Sequence, residues 1–374
     1  MTFKSILTAT LISMCLAACS GSNDEPEKPS NPNPVQPAPT DPPEEDTVVT
    51  TIAITSETLE IPVGSSTPVR YTVDPDTTTV RWESSDTRIA RVDANGIVTG
   101  VARGSVTVTA RAASATASVA VKVVRAPHIG DYFYSDGTFS SSIDNNKSII
   151  GIIFWIGDPT ADDAALRREH PECSHGLVVA AYPDMTPTPW QSNASMFGST
   201  TGSWIESNLS GLYVSPVSIW GSDTRRNLIS GYNNTCALKR FNADASNSAW
   251  PVEAVARVQQ FSDNVQTPAS TSGWFLPGTK ELSLLINSEH DGDVLDFNDI
   301  AADKCGQNKT VVNKSLEALD GAQTIGSNRW AYDLWSSNEW DIAQTYFISS
   351  LDGTIMCAPK NGVNNQLVRC ILAF

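Results

Sequence analysis

The sequence predicts a multidomain chain in which an all-β sandwich is followed by a larger α+β domain. Three observations carry that prediction. From Thr47 to Val124, apolar residues recur at every second position between turn residues spaced about eight to twelve apart. Beyond Arg125-Ala126-Pro127, unbroken apolar strands and two amphipathic helical stretches take over. Nine of the ten tryptophans lie after residue 150, so the larger core belongs to the C-terminal part. A chain of 374 residues also fits two or three domains at about 100–200 residues each.

The first nineteen residues read as a targeting segment. Lys4 supplies a positive start, residues 6–18 a short apolar run, and Leu16-Ala17-Ala18-Cys19 a small-residue ending. That ending resembles the lipobox of bacterial lipoproteins, which implies acylation of Cys19; an ordinary secretory cleavage near Ala18 is the alternative. Several acyl chains on one residue anchor stably where a single chain does not. Asp24, Glu25 and Glu27 follow. This acidic run resembles the surface-export signal of Bacteroides-type lipoproteins, implying an outer-membrane, lipid-anchored, surface-exposed protein. Residues 20–46 are Pro, Asn, Asp, Glu and Ser with almost nothing apolar, a composition that cannot offset its ordering entropy. Their prolines make a stiff spacer.

Residues 47–124 form the predicted sandwich. Val69, Tyr71 and Val73 alternate with polar residues, as do Val106, Val108 and Ala110, and Val119, Val121 and Val123. The stretches Val80-Arg81-Trp82-Glu83-Ser84-Ser85-Asp86, Ile89-Ala90-Arg91-Val92-Asp93 and Gly96-Ile97-Val98-Thr99-Gly100-Val101-Ala102-Arg103-Gly104 resemble the bacterial Ig-like group 2 domain. The resemblance implies a rigid spacer in an extracellular stalk. Trp82 is expected as the buried aromatic of a central strand.

Residues 127–374 form the second domain. Residues 149–157 and 176–182 are continuous apolar runs that suit strands covered on both faces, and residues 162–169 suit one or two helical turns. A helix is expected over residues 248–261, burying Val252, Val255 and Ala256 with Gln259 on the same face. A second follows Gly273-Trp274-Phe275-Leu276-Pro277-Gly278, with Thr279 as N-cap and Leu282, Leu285 and Ile286 buried. A short capped helix is expected over residues 313–321. The chain then reads Leu334-Trp335-Ser336-Ser337-Asn338-Glu339-Trp340-Asp341, a strand, an Asp352-Gly353 turn, another strand, and an apolar terminus ending Ile371-Leu372-Ala373-Phe374. This pattern predicts an antiparallel meander whose last strand is interior. The Gly-Trp-x-Leu-Pro stretch and the meander resemble the C-type-lectin-like fold of Bacteroides-type surface lipoproteins (the Fibrobacter paralogous and formylglycine-generating-enzyme-like group). That scaffold hosts adhesins, sugar binders and an enzyme, so it implies a fold and no single activity.

The formal charge of −16 excludes nucleic acid as a partner and electrostatic adsorption to anionic lipid, leaving the lipid anchor as the membrane attachment. No later stretch approaches the ~20 apolar residues of a spanning helix. Five cysteines remain beyond Cys15 and Cys19: Cys173, Cys236, Cys305, Cys357 and Cys370. A hairpin centred between Val363 and Asn364 sets Cys357 opposite Cys370, leaving open a disulfide or two buried thiols. His128, His170, His175 and His290 show no zinc spacing. Cys173 and His175, two apart on a strand, share a face, but no orienting group accompanies them. Asp291, Asp293 and Asp296, with Glu289 and Asp299, offer oxygen ligands that a calcium ion could use, although no Glu closes the loop at EF-hand spacing. A solvated acidic loop is the simpler reading, and no cofactor is expected. The calcium triplets of animal C-type lectins are missing; Asn338-Glu339-Trp340-Asp341 echoes only one of them.

The expected recognition surface is the solvent side of the meander, where Trp340, Gln344, Asn361, Asn364, Asn365 and Gln366 combine an aromatic face with hydrogen-bonding amides. Intimin-type adhesins share the order of Ig-like stalk and lectin-like tip. The sequence therefore points first to a non-catalytic adhesin binding an extracellular glycan or a host or microbial surface protein. A structural or tip subunit of a fimbria-like assembly is the alternative, and a polysaccharide hydrolase with paired carboxylates a third. No catalytic residue is assigned.

Overall fold

The computed structural model describes residues 49–374 except 57, 195–197, 219–223, 290–291, 297–303, 327–331 and 363–365. Nine strands come first: β1 (Thr51–Ile54), β2 (Thr58–Pro62), β3 (Ser66–Pro68), β4 (Tyr71–Asp74), β5 (Val80–Ser84), β6 (Ala90–Val92), β7 (Ile97–Gly100), β8 (Gly104–Ala112) and β9 (Ala115–Val124). They form sheets ordered β2-β9-β8-β5 and β3-β7-β6, with β1 paired to β4. The alternation read in the sequence is what buries them. Val106, Val108, Val119, Val121 and Val123 all point into one core with Ile61, Val69, Ala90 and Val98. Trp82 departs from expectation. It lies on β5, the edge of its sheet, and is half-buried, packed edge-on against Tyr71 at 5.1 Å. Gly96 meets its indole so closely, at φ +79°, that any side chain there would collide with the ring.

The C-terminal domain holds β10 (Tyr132–Tyr134), β11 (Phe139–Ser140), β12 (Ile149–Ile156), β13 (Gly176–Ala180), β14 (Asp333–Glu339), β15 (Gln344–Ile348), β16 (Ile355–Pro359), β17 (Gln366–Leu367) and β18 (Ile371–Ala373). Its described helices are α1 (Ala164–Glu169), α2 (Thr201–Asn208), α3 (Gly231–Ala243), α4 (Glu253–Asn264), α5 (Thr279–Ile286) and α6 (Gln307–Glu317). Two sheets result, β11-β10-β12-β13-β18 and β16-β15-β14-β17. The apolar runs predicted as doubly covered strands are β12 and β13, paired antiparallel, with Ile152 and Ile153 fully buried.

The terminus is interior, but the last strands do not form a hairpin. Among the described residues β16 pairs with β15 alone, β17 runs parallel to β14, and β18 crosses to the other sheet and pairs with β13. The far side of β18 is covered too, because Phe275 and Ile371 exchange backbone hydrogen bonds of 2.8 and 3.0 Å. Cys357 lies on β16 and Cys370 just before β18 of the other sheet; of the two readings left open, the structure has free thiols, Cys370 buried and Cys357 half-buried.

Helix boundaries shift for local reasons. α4 begins at Glu253, and its buried face is Ala254, Val255, Val258 and Phe261; Ala256 and Gln259 are exposed. Pro251 just before the helix explains the later start. In α5 the cap is Gly278 and Thr279 is already helical, because Asn338 Oδ1 accepts the Thr279 N–H at 2.9 Å. Leu282, Leu285 and Ile286 are buried as expected. The last helix starts earlier than expected, at Gln307.

Phe374 is buried with its ring 5.1 Å from Phe133 and 6.0 Å from Phe139. Phe374→Ala is expected to cost about 3 kcal/mol through the lost burial and the cavity left behind. Urea unfolding should show this as a lower midpoint at unchanged slope; an unchanged midpoint would mean the terminus is not part of the core.

Candidate recognition surface and its buried support

Strand β14 contradicts its own polarity. Ser336, Ser337, Asn338 and Glu339 are all buried, at no more than 1 % exposure. Buried polar groups need partners, and the surrounding loops supply them. Trp190 Nε1–H donates to the Ser336 carbonyl at 2.9 Å, and Trp335 Nε1–H to the Thr188 carbonyl at 2.8 Å. Asn234 donates to Ser337 Oγ at 3.1 Å, and Asn338 accepts from the start of α5. Glu339 then accepts three bonds at the start of α2: the Thr201 N–H at 3.0 Å, the Thr201 hydroxyl at 2.9 Å and the Gly202 N–H at 3.1 Å. A carboxylate there meets both unpaired N–H groups and the positive end of the helix dipole. Gly202 permits the approach, since a Cβ would sit 2.3 Å from Ser215 Oγ and from Val217.

Lys360 completes the arrangement. Its ammonium is fully buried, ion-paired with Glu339, bonded to the Ile342 carbonyl at 3.1 Å and 5.2 Å from the centre of the Trp190 ring. Burial pulls the Lys360 ammonium below its ordinary value, while the Glu339 charge and hydrogen bond act to keep it protonated. The Asn338-Glu339-Trp340-Asp341 echo of a calcium triplet is thus corrected: Asn338 and Glu339 are interior pins, and Asp341 fixes a turn.

That turn carries the surface. Asp341 Oδ1 accepts the N–H groups of Ala343 and Gln344, both at 2.7 Å. Trp340 is half-buried and lies flat on Tyr346, with ring centres 5.9 Å apart and planes 9° from parallel. The Tyr346 hydroxyl is itself bound to the Ser218 carbonyl at 2.5 Å. Ile342, in the same turn, is exposed. Gln344 pairs with Pro359, and the Lys360 N–H donates to the Ala343 carbonyl, which brings the exposed turn at Asn361 to the same end of the sheet. Trp340, Gln344 and Asn361 therefore lie at one end of the sheet. Gln366 does not: it is buried in β17 beside Asp333. Asn364, Asn365, Asp291 and Cys19 lie outside the described residues. Asp293 serves Arg226 as a counter-ion, through Nε at 2.8 Å and through Nη2, which holds its carboxyl below the usual range. Lys360 had no sequence signal, because its partner lies 21 residues away.

Comparison with known proteins fits this architecture. Residues 48–123 match the bacterial Ig-like domain (group 2). The chain is 27 % identical over 182 residues to the "Putative fimbrium tip subunit Fim1C" of Bacteroides ovatus, covering 43 % of this chain and 33 % of that protein. It thus spans about a third of that relative's length. A fimbrial protein of the same species, solved by crystallography, superposes with a TM-score of 0.53 at 18 % identity, over 87 % of this chain and 70 % of that one. The chain is multidomain, with an Ig-like β-domain followed by sheets and helices, and resembles Bacteroides fimbrial proteins.

Two outcomes follow from the buried groups. Lys360→Met should cost about 3–5 kcal/mol by stranding the Glu339 charge. Adding Glu339→Gln should recover part of that loss, read as a coupling energy in a double-mutant cycle of chemical denaturation. Separately, Glu281 in α5 is fully buried, accepts the Gly231 N–H at 2.6 Å, and is pushed by burial from 4.5 up to about 8. A group whose value is raised by folding gives its full stability below its unfolded value and loses it as pH rises. Stability should therefore decline from about pH 5 to 8. Glu281→Gln should flatten that decline in thermal melts across the same window.

Proposed function

We propose that this chain is a subunit of a fimbria-like assembly on the bacterial surface and that its C-terminal domain is the recognition end. The observation that carries the reading is the similarity to a fimbrium tip subunit over 182 residues, supported by the shared fold with a fimbrial protein across most of this chain. Both relatives are named as fimbrial proteins, which favours a non-catalytic role.

Within this reading, Cys19 carries the lipid that anchors the chain in the outer membrane. The C-terminal domain is of C-type-lectin-like type, a reading supported by its meander, its buried terminus and the interior Trp335–Glu339 stretch. Adhesion is compatible with it. The Trp340, Gln344 and Asn361 end offers an aromatic face with flanking amides, a mixture suited to a glycan or to a host or microbial surface protein.

Filaments sheared from cells producing the tagged full chain provide the test. Co-sedimentation with filaments, and immunogold label at their ends, is expected. Uniform release as a monomer, with no label on filaments, would remove the assembly reading. Trp340→Ala, on a half-exposed ring, should leave assembly intact and weaken adhesion to glycan-coated or cell surfaces at least about tenfold, about 1.4 kcal/mol.

A further inference from the structure

We propose that the turn from His170 to Cys173 is a binding site for a zinc-class transition-metal ion. Nδ1 or Nε2 of His170, a carboxylate oxygen of Glu172 and Sγ of Cys173 all lie within 4.8 Å of one another. The turn sits between α1 and β13, and its backbone is already held. The His170 N–H closes α1 on the Leu166 carbonyl at 2.7 Å, the Cys173 N–H returns to the His170 carbonyl at 3.0 Å, and the Ser174 N–H bonds the Glu172 carbonyl at 2.9 Å. Little ordering therefore remains for a metal to impose.

The donor set chooses the metal class. Imidazole nitrogen with thiolate sulfur suits zinc and its neighbours, whereas calcium and magnesium take oxygen donors. Three protein donors leave a fourth tetrahedral position for water. Burial and access divide among the three residues: Cys173 is fully buried, His170 is half-buried with its ring edge-on to Tyr232 at 5.5 Å, and Glu172 is exposed. Pro171 and Glu172 also line a wide crevice, which gives an ion its route. The Cys173 thiol makes a weak contact, 3.7 Å, with the Ser270 carbonyl. Binding breaks the S–H bond, forms a metal–sulfur bond and releases one proton to solvent. The sequence pairing of Cys173 with His175 gives way to this group, for the His175 ring stacks instead on Phe374 at 6.3 Å.

Cobalt(II) titration of the chelator-treated full chain tests the site, because a thiolate ligand produces a near-ultraviolet charge-transfer band that carboxylates do not. One equivalent should develop the band, zinc should displace it, and zinc should raise the melting temperature. His170→Gln and Glu172→Gln, both at accessible positions, should each weaken binding at least about tenfold, about 1.4 kcal/mol. Cys173→Ala should abolish the band, while Cys305→Ser should leave it unchanged. Absence of the band, or its survival in His170→Gln and Cys173→Ala, would overturn the proposal.

Discussion

An ion pair without access to water anchors the C-terminal domain. Burying a carboxylate and an ammonium costs several kcal/mol each, and direct attraction offsets this only where the remaining donors and acceptors are also matched. Glu339 and Lys360 meet that condition. The carboxylate takes three further hydrogen bonds at the start of α2, and the ammonium takes a carbonyl and an indole face. One pair thereby connects β14, the turn after β16, the first turn of α2 and the Trp190 loop. Removing any one partner would leave a buried charge or an unpaired N–H, so the four segments are held in a single arrangement.

The surface end of the sheet inherits this rigidity. Trp340 follows Glu339 directly, and Lys360 precedes Asn361, so the two residues that reach solvent are each one position from the buried pair. Tyr346 supports the Trp340 ring from below and is itself tied by its hydroxyl. An aromatic presented in this way loses little freedom on contact with a ligand, which favours binding. The acidic loop near Asp293 has a different use: part of its charge neutralises a buried arginine.

The two parts of Thr50–Phe374 are built by different physics. The Ig-like sandwich relies on alternating aliphatic residues and holds itself without cysteine. The C-terminal domain combines a large aromatic and aliphatic core with a buried polar strand, and its two sheets are joined by the last nine residues, which contribute to both. Similarity to fimbrial proteins extends over both parts in the solved structure, which covers 87 % of this chain.

Local patterns in the sequence determined the sandwich, the two covered strands β12 and β13, the presence of α4 and α5, and the burial of the final residues. Each depends on spacing of two or of three to four residues, or on turn chemistry, and these act between near neighbours. They also marked Trp340, Gln344, Asn361, Asn364, Asn365 and Gln366 as one surface, of which the fold sets Trp340, Gln344 and Asn361 at one end of the sheet and buries Gln366. Only the tertiary structure decided which strands pair. A hairpin of β16 with β18 satisfies the same local pattern as the observed crossing between sheets, yet it would leave one edge of β13 unpaired and the terminal apolar residues without a core. That choice separated Cys357 from Cys370, buried Gln366, and turned Asn338 and Glu339 inward to meet Thr279, Thr201 and Lys360. Contacts between residues far apart in the chain leave no periodic trace, so the pair on which the domain rests was invisible until the fold brought it together.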